Sequence, residues 1–217
     1  LPWLVASLLL GGVALARPSL PVEADLTEAI TALAPLGVRD HRLVDEAHHQ
    51  LTRGRGRTFL KGALANRPTQ QAFIEDALQD AGLPLALEAV ALIESGYDPA
   101  LTTSTPESDL PGGPIGAGLW MFIPQTAREY GLVVTPERDE RLDRERETEA
   151  AMALLSDLYA EHGDWGLALA AYNQGSKKVN AAIEEVGTRD VLTLVEKGAL
   201  NRYVPMVYAA MLVLEER

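Results

Sequence analysis

A single carboxylate stands where an apolar helix has to end. In Leu83–Pro99, LPLALEAVALIESGYDP, only Glu88 interrupts the apolar run from Leu85 to Ile93, and Glu94 follows it. Pro84 suits a first helical turn, and Gly96 and Pro99 stop the helix just past Glu94. Leu87, Val90, Ala91 and Glu94 fall at i, i+3, i+4 and i+7, so Glu94 continues an apolar stripe at the helix C-terminus. Desolvation disfavours a charged carboxylate, and so does the negative end of the helix dipole. Both raise the pKa of Glu94. An acid that keeps its proton near neutral pH can give it to a leaving oxygen, which is the chemistry of glycosidic bond cleavage. The bland alternative is a helix-ending glutamate turned out into solvent.

The elements that must hold this acid in place are helical. The chain has 217 residues, 47% of them hydrophobic, enough for one domain with a substantial core. Its formal net charge of −12 argues against nucleic acid as a partner and gives no attraction to an anionic membrane surface. With no cysteine, disulfides and thiolate metal sites are excluded. Leu4–Ala16, LVASLLLGGVALA, ends in the small-x-small pattern Ala14-Leu15-Ala16, so residues 1–18 read as a secretory signal. The run is short for a membrane span, and no cysteine is present to take a lipid anchor.

Beyond a proline-containing linker, Glu23–Leu36 and Asp40–Leu51 read as amphipathic helices. The adjacent His48 and His49 cannot chelate one ion from a helix. Arg53–Arg57, RGRGR, reads as a solvated basic loop, with an anionic partner as its alternative. A helix is expected over Pro68–Ala81, a loop over Ala100–Pro114, and a short helix over Pro124–Tyr130. The mixed charges of Pro136–Glu149 read as a solvated approach to a helix capped by Asp143 and closed after His162 by Gly163. His162 is expected to act as a cation at that helix end. Asp164–Tyr172, Ser176–Val186, Asp190–Lys197 and Val204–Glu216 continue the helical pattern. No strand, heptad or repeat is visible, so the fold class is all-α. The expected organisation is an N-terminal helical extension over 19–67 and a main domain over 68–217.

Four stretches, taken in order, carry a family resemblance: ESGYDP (Glu94–Pro99), GAGLWMFIPQTAREYGL (Gly116–Leu132), GDWGLALAAYNQG (Gly163–Gly175) and NRYVP (Asn201–Pro205). The chain resembles the soluble lytic transglycosylase (SLT) catalytic domain family, with its lysozyme-like helical fold, and most of all its membrane-bound lytic murein transglycosylase D type. The resemblance implies cleavage of the MurNAc–GlcNAc β-1,4 bond of peptidoglycan to 1,6-anhydro-MurNAc ends, without cofactor or metal. It makes Glu94 the sole catalytic carboxylate, first acid and then base. Ser95 and Tyr97 flank it, and Trp120 follows the Gly118-Leu119 pair of the groove wall. Tyr172 and Asn173 line the sugar site, and Tyr203 is the late tyrosine near the acid. Trp120 and Phe122 could stack on sugars or equally pack in the core, and Thr103 or Ser104 could stand for the family's loop serine.

Two departures stand out. Met121 replaces the family's glutamine, and a thioether cannot make an amide's hydrogen bonds. The loop between 99 and 116 is also longer than usual. Two other readings follow: a catalytically impaired glycan-binding or wall-assembly scaffold, and a hydrolysing muramidase. The muramidase needs a second carboxylate about 5–9 Å from the acid, for which Asp98 and Asp109 are the nearby candidates. The expected location is the periplasm or cell envelope, unanchored by lipid, with peptidoglycan strands as partner. The N-terminal helices offer a surface for an envelope protein.

Overall fold

The computed structural model describes residues 38–103 and 116–216. The expected signal segment, the helix over Glu23–Leu36, Ser104 and Asp109 lie outside them. After a 3-10 turn at Val38–Asp40 come α1 (Arg42–Thr52) and α2 (Gly54–Asp80). A second 3-10 turn, Leu85–Leu87, leads directly into α3 (Glu88–Ser95), so the apolar run begins as a tighter turn than expected. Then follow α4 (Pro124–Glu129), α5 (Arg144–His162), α6 (Trp165–Gln174), α7 (Ser176–Val186), α8 (Val191–Glu196) and α9 (Tyr203–Glu215). Among the described residues there is no strand, only isolated bridges such as Thr102 with Ala117 and Ala117 with Phe122. None of their helices is long and apolar enough to cross a membrane.

The helix ends follow their capping residues. Asp143 accepts the Arg146 N–H at 3.1 Å and opens α5, and Asp164 accepts the Leu167 N–H at 2.8 Å and opens α6. Gly96 ends α3 in the left-handed conformation, φ +59°, which costs glycine nothing. Helix α9 is apolar nearly all round, which suits a helix buried on every side. It packs against α1, α3 and α6, and thereby braces the acid-bearing helix.

Two expectations need correction. RGRGR is no loop: Gly54 turns the corner after α1 at φ +53°, and the rest forms the first turns of α2. A Cβ on Gly56 would lie 2.0 Å from the Gln50 carbonyl oxygen, so the glycines serve a tight corner while Arg53, Arg55 and Arg57 face water. Helix α2 continues with Pro68 inside it, and α1 packs against α9. Last, the supposedly solvated 136–149 stretch buries Glu140, Arg141, Glu147 and Thr148. Arg141 is satisfied there by Asp139, at 2.9 and 2.7 Å, and by the Phe122 carbonyl, at 3.0 Å.

Candidate active site

Helix α3 ends beside a groove enclosing about 520 Å³, part of it open to solvent. Its last turn supplies Glu94, the loop before α4 supplies Met121, Phe122 and Ile123, and α6 supplies Tyr172 and Asn173. Thr126 of α4 and Leu154 of α5 complete the described lining. Glu94 is the one carboxylate among these residues. Among the described residues no guanidinium or ammonium is paired with it, and burial pushes its pKa up to about 7. The Tyr203 phenol, from the start of α9, is the group that works against that rise. That hydroxyl is buried and makes no well-aligned hydrogen bond, so it is aimed at the carboxyl without completing a bond to it. Burial holds both Tyr172 and Tyr203 firmly in the protonated phenol form.

A match to the transglycosylase SLT domain family covers residues 71–194. The chain belongs to that family. Its all-α architecture is the family's lysozyme-like fold. The chain is also 28% identical over 196 residues to the membrane-bound lytic murein transglycosylase D of Escherichia coli strain K12, an alignment covering 88% of this chain and 41% of that protein. The protein of the same name from Escherichia coli O6:H1, strain CFT073, matches equally, at 28% over 196 residues, with 88% and 41% covered. The chain thus spans about two fifths of the length of these relatives.

Within this SLT domain, five of the residues singled out from sequence line one groove: Glu94, Met121, Phe122, Tyr172 and Asn173. Tyr203 stands beside it, within electrostatic reach of Glu94. Met121 takes a left-handed backbone, φ +56°, rare for a residue with a side chain. Its side chain packs over Gly116, where a Cβ would lie 2.8 Å from Met121 Cγ. Asn173 Oδ1 accepts from Asn201 Nδ2 at 2.8 Å, tying α6 to the approach to α9.

Four of the singled-out residues are not on the groove. Ser95 is buried, and its hydroxyl lies 2.8 Å from the Leu119 carbonyl, bolting the loop to the acid-bearing helix. Tyr97 is 1% exposed and donates to Glu88 at 2.9 Å. Trp120 is fully buried, with Nε1 donating to Thr148 Oγ1 at 2.9 Å, so its ring stacks on core rather than on sugar. Thr103 clasps the base of the long loop: its hydroxyl accepts the Gly116 N–H at 2.8 Å. Asp98 serves the turn after α3, its carboxylate accepting the Ala100 N–H at 2.9 Å.

Sequence reasoning passed over Thr126 and Leu154, which reach the groove only through tertiary packing. It passed over the pairing of Arg67 with Glu88, at 2.8 and 2.9 Å, which supports α3 from behind. It also misjudged His162. That ring is buried against Ser176 at 3.1 Å, and burial lowers its pKa, so it is not a cationic helix cap. Among the described residues no cluster of histidine and carboxylate groups could hold a metal ion.

Proposed function

We propose that this chain is a peptidoglycan lytic transglycosylase that cleaves the MurNAc–GlcNAc β-1,4 bond and leaves 1,6-anhydro-MurNAc ends. The observation that carries the reading is Glu94: a groove-lining acid raised to about 7 by burial, with no second carboxylate among the described residues lining that groove. In the first step Glu94 gives its proton to the glycosidic oxygen, the C1–O bond breaks, and the GlcNAc side leaves as an alcohol. The ionised Glu94 then takes the proton of the sugar's own C6 hydroxyl as that oxygen bonds to C1. The acid is restored and no water is consumed. The C6 oxygen is tethered beside C1, so attack is effectively unimolecular and outcompetes water held off by the apolar wall of Met121, Phe122 and Leu154.

Tyr203 steadies the carboxylate between the two steps, and Tyr172 and Asn173 offer polar contacts to the sugar. A two-carboxylate glycosidase needs a partner acid across the scissile bond, and none is among the described residues lining the groove. The family and the murein-cleaving relatives support peptidoglycan as the substrate and the cell envelope as the place of work, reached through the secretory signal read in residues 1–18. The test is digestion of purified peptidoglycan followed by mass analysis. Ends lighter by one water than a hydrolysis product are expected. Reducing ends would make the protein a muramidase, and no release would make it a glycan-binding scaffold.

A further inference from the structure

Helix α5 carries another buried glutamate, and it faces backbone rather than groove. Glu147 sits in the first turn of α5 with none of its surface exposed. Oε2 accepts the Leu119 N–H at 2.7 Å, and Oε1 accepts the Trp120 N–H at 3.1 Å. The Phe122 N–H also bears on the carboxyl, as does the charge of Arg141. Successive amides converging on one acceptor form a backbone nest, and here the acceptor is the chain's own carboxyl, whose pKa burial still pushes up to about 8 against these amides. Gly118 is shaped to it: at φ +88°, a Cβ there would lie 2.3 Å from Glu147 Oε2 and 2.0 Å from the Arg141 carbonyl oxygen.

The loop has little of its own to hold it. Within it, the Ala117 N–H reaches the Phe122 carbonyl at 3.2 Å and the Met121 N–H reaches the Gly118 carbonyl only at 3.4 Å, and Met121 is left-handed. The fixed points come from outside. Glu147 grips the Leu119 and Trp120 amides from one side. From the other, the Ser95 hydroxyl meets the Leu119 carbonyl at 2.8 Å and the Tyr172 hydroxyl donates to the Trp120 carbonyl at 2.6 Å. The Trp120 peptide therefore lies between Glu147 and Tyr172, and Tyr172 lines the groove with Glu94.

We propose that Glu147 is the positioning residue of the groove: from α5 its carboxyl fixes the Leu119 and Trp120 amides, and through them it sets Met121 on the groove wall and Tyr172 beside Glu94. The role rests on reading the groove as a glycan site. Glu147 is not among the groove-lining residues, so it acts only through the loop.

The test is Glu147→Gln, which keeps the size but turns an NH2 toward one of the two N–H groups. In the folded variant, amide hydrogen exchange over 117–122 should rise at least tenfold while α9 keeps its protection. In a Glu94→Gln background, the Kd for a purified peptidoglycan tetrasaccharide should rise about tenfold or more. With Glu94 present, the loss should fall mainly in KM, and the alkaline limb of kcat should stay in place, because Glu147 is not among the groups that set the Glu94 pKa. A merely structural role would lower Tm and leave the exchange pattern and Kd of the folded fraction unchanged, and that result overturns the proposal. If Glu147→Gln does not fold, Glu147→Asp, which keeps the charge and loses reach to one amide, must show the same changes at smaller size. Wild-type protein that fails to bind the tetrasaccharide overturns the glycan reading itself. Wild-type binding with an unaltered Kd in the variant overturns the positioning role alone.

Discussion

Helix α3 carries two glutamates six residues apart, and they live under opposite rules. Glu88, at its first turn, is 2% exposed and saturated: Arg67 grips both oxygens and the Tyr97 phenol donates a third bond. Glu94, at its last turn, has no cation and only an imperfectly aligned phenol, and its pKa is pushed up to about 7. The same side chain, on the same helix, is tied down by partners at one end and has its pKa raised by burial at the other. Burial raises the Glu94 pKa, and among the described residues no cation compensates it. Position on the helix adds to the contrast, since the N-terminal end favours negative charge and the C-terminal end opposes it.

The largest expected effect breaks the acid end. Glu94→Gln removes the one carboxylic acid among the described residues lining the groove, and release of soluble muropeptides should fall by about 10³-fold or more, given what positioned acid–base groups contribute over both steps. Circular dichroism and the unfolding midpoint should show an intact fold. Retained release in the variant would move the chemistry to another group.

The anchor end should break differently. Arg67→Ala leaves Glu88 buried and unpaired, which should lower stability by about 3–5 kcal/mol in urea unfolding, with activity per folded molecule near wild type. Replacing the whole unit by apolar groups, Arg67→Met with Glu88→Leu and Tyr97→Phe, should recover most of that loss, because no charge or hydroxyl is then left unsatisfied. If the single variant costs nothing, Glu88 is not the anchor described here.

The acid end should also declare itself in stability against pH. The folded state raises the Glu94 pKa from the ordinary 4.5 to about 7, so it favours the protonated form. That contribution is fully present below about pH 4.5 and is lost as pH rises through 7, a difference of about 2–3 kcal/mol between pH 5 and 8.5. Glu94→Gln cannot ionise, so it should gain on wild type by that amount at pH 8.5 and by little at pH 5, read by urea unfolding at the two values. The variant that kills activity is then the more stable protein at alkaline pH, as expected where a strained ionisation serves function.

Much of this contrast was legible in the residues. The 3.6-residue spacing placed Glu94 on an apolar face, and Gly96 marked the helix end that puts the acid at the negative pole. The motifs gave five of the groove residues because each is fixed by its neighbours in sequence. What stayed hidden depends on contacts made across the fold. Glu88 looked like a lone polar interruption because its partner lies 21 residues away on α2. Glu147 and Arg141 looked like members of a solvated charge run, since a carboxylate bound to loop amides has the same sequence signature as one bound to water. Trp120 could be read as a sugar platform or as core, and the choice is decided by packing and by a bond to Thr148, 28 residues on. RGRGR read as a loop because glycine is a poor helix former. The close approach of Gln50 explains why glycine is nevertheless kept there.

The smallest effect sharpens the comparison most. If pairing is what separates Glu88 from Glu94, then the one polar group aimed at Glu94 should tune it in a known direction. The Tyr203 phenol stabilises the ionised carboxylate and so lowers its pKa. Tyr203→Phe should therefore move the alkaline limb of kcat/KM upward, by less than about one pH unit, while lowering the plateau, because the carboxylate formed between the two steps loses its donor. Stability should change little: the hydroxyl is buried without a well-made bond, and removing an unsatisfied group costs nothing. A pH–rate profile on peptidoglycan in 0.1-unit steps around 7 reads the shift. A limb that stays still would mean that desolvation by itself sets the acid, and a limb that moves downward would mean that the phenol was holding the proton on rather than helping it off.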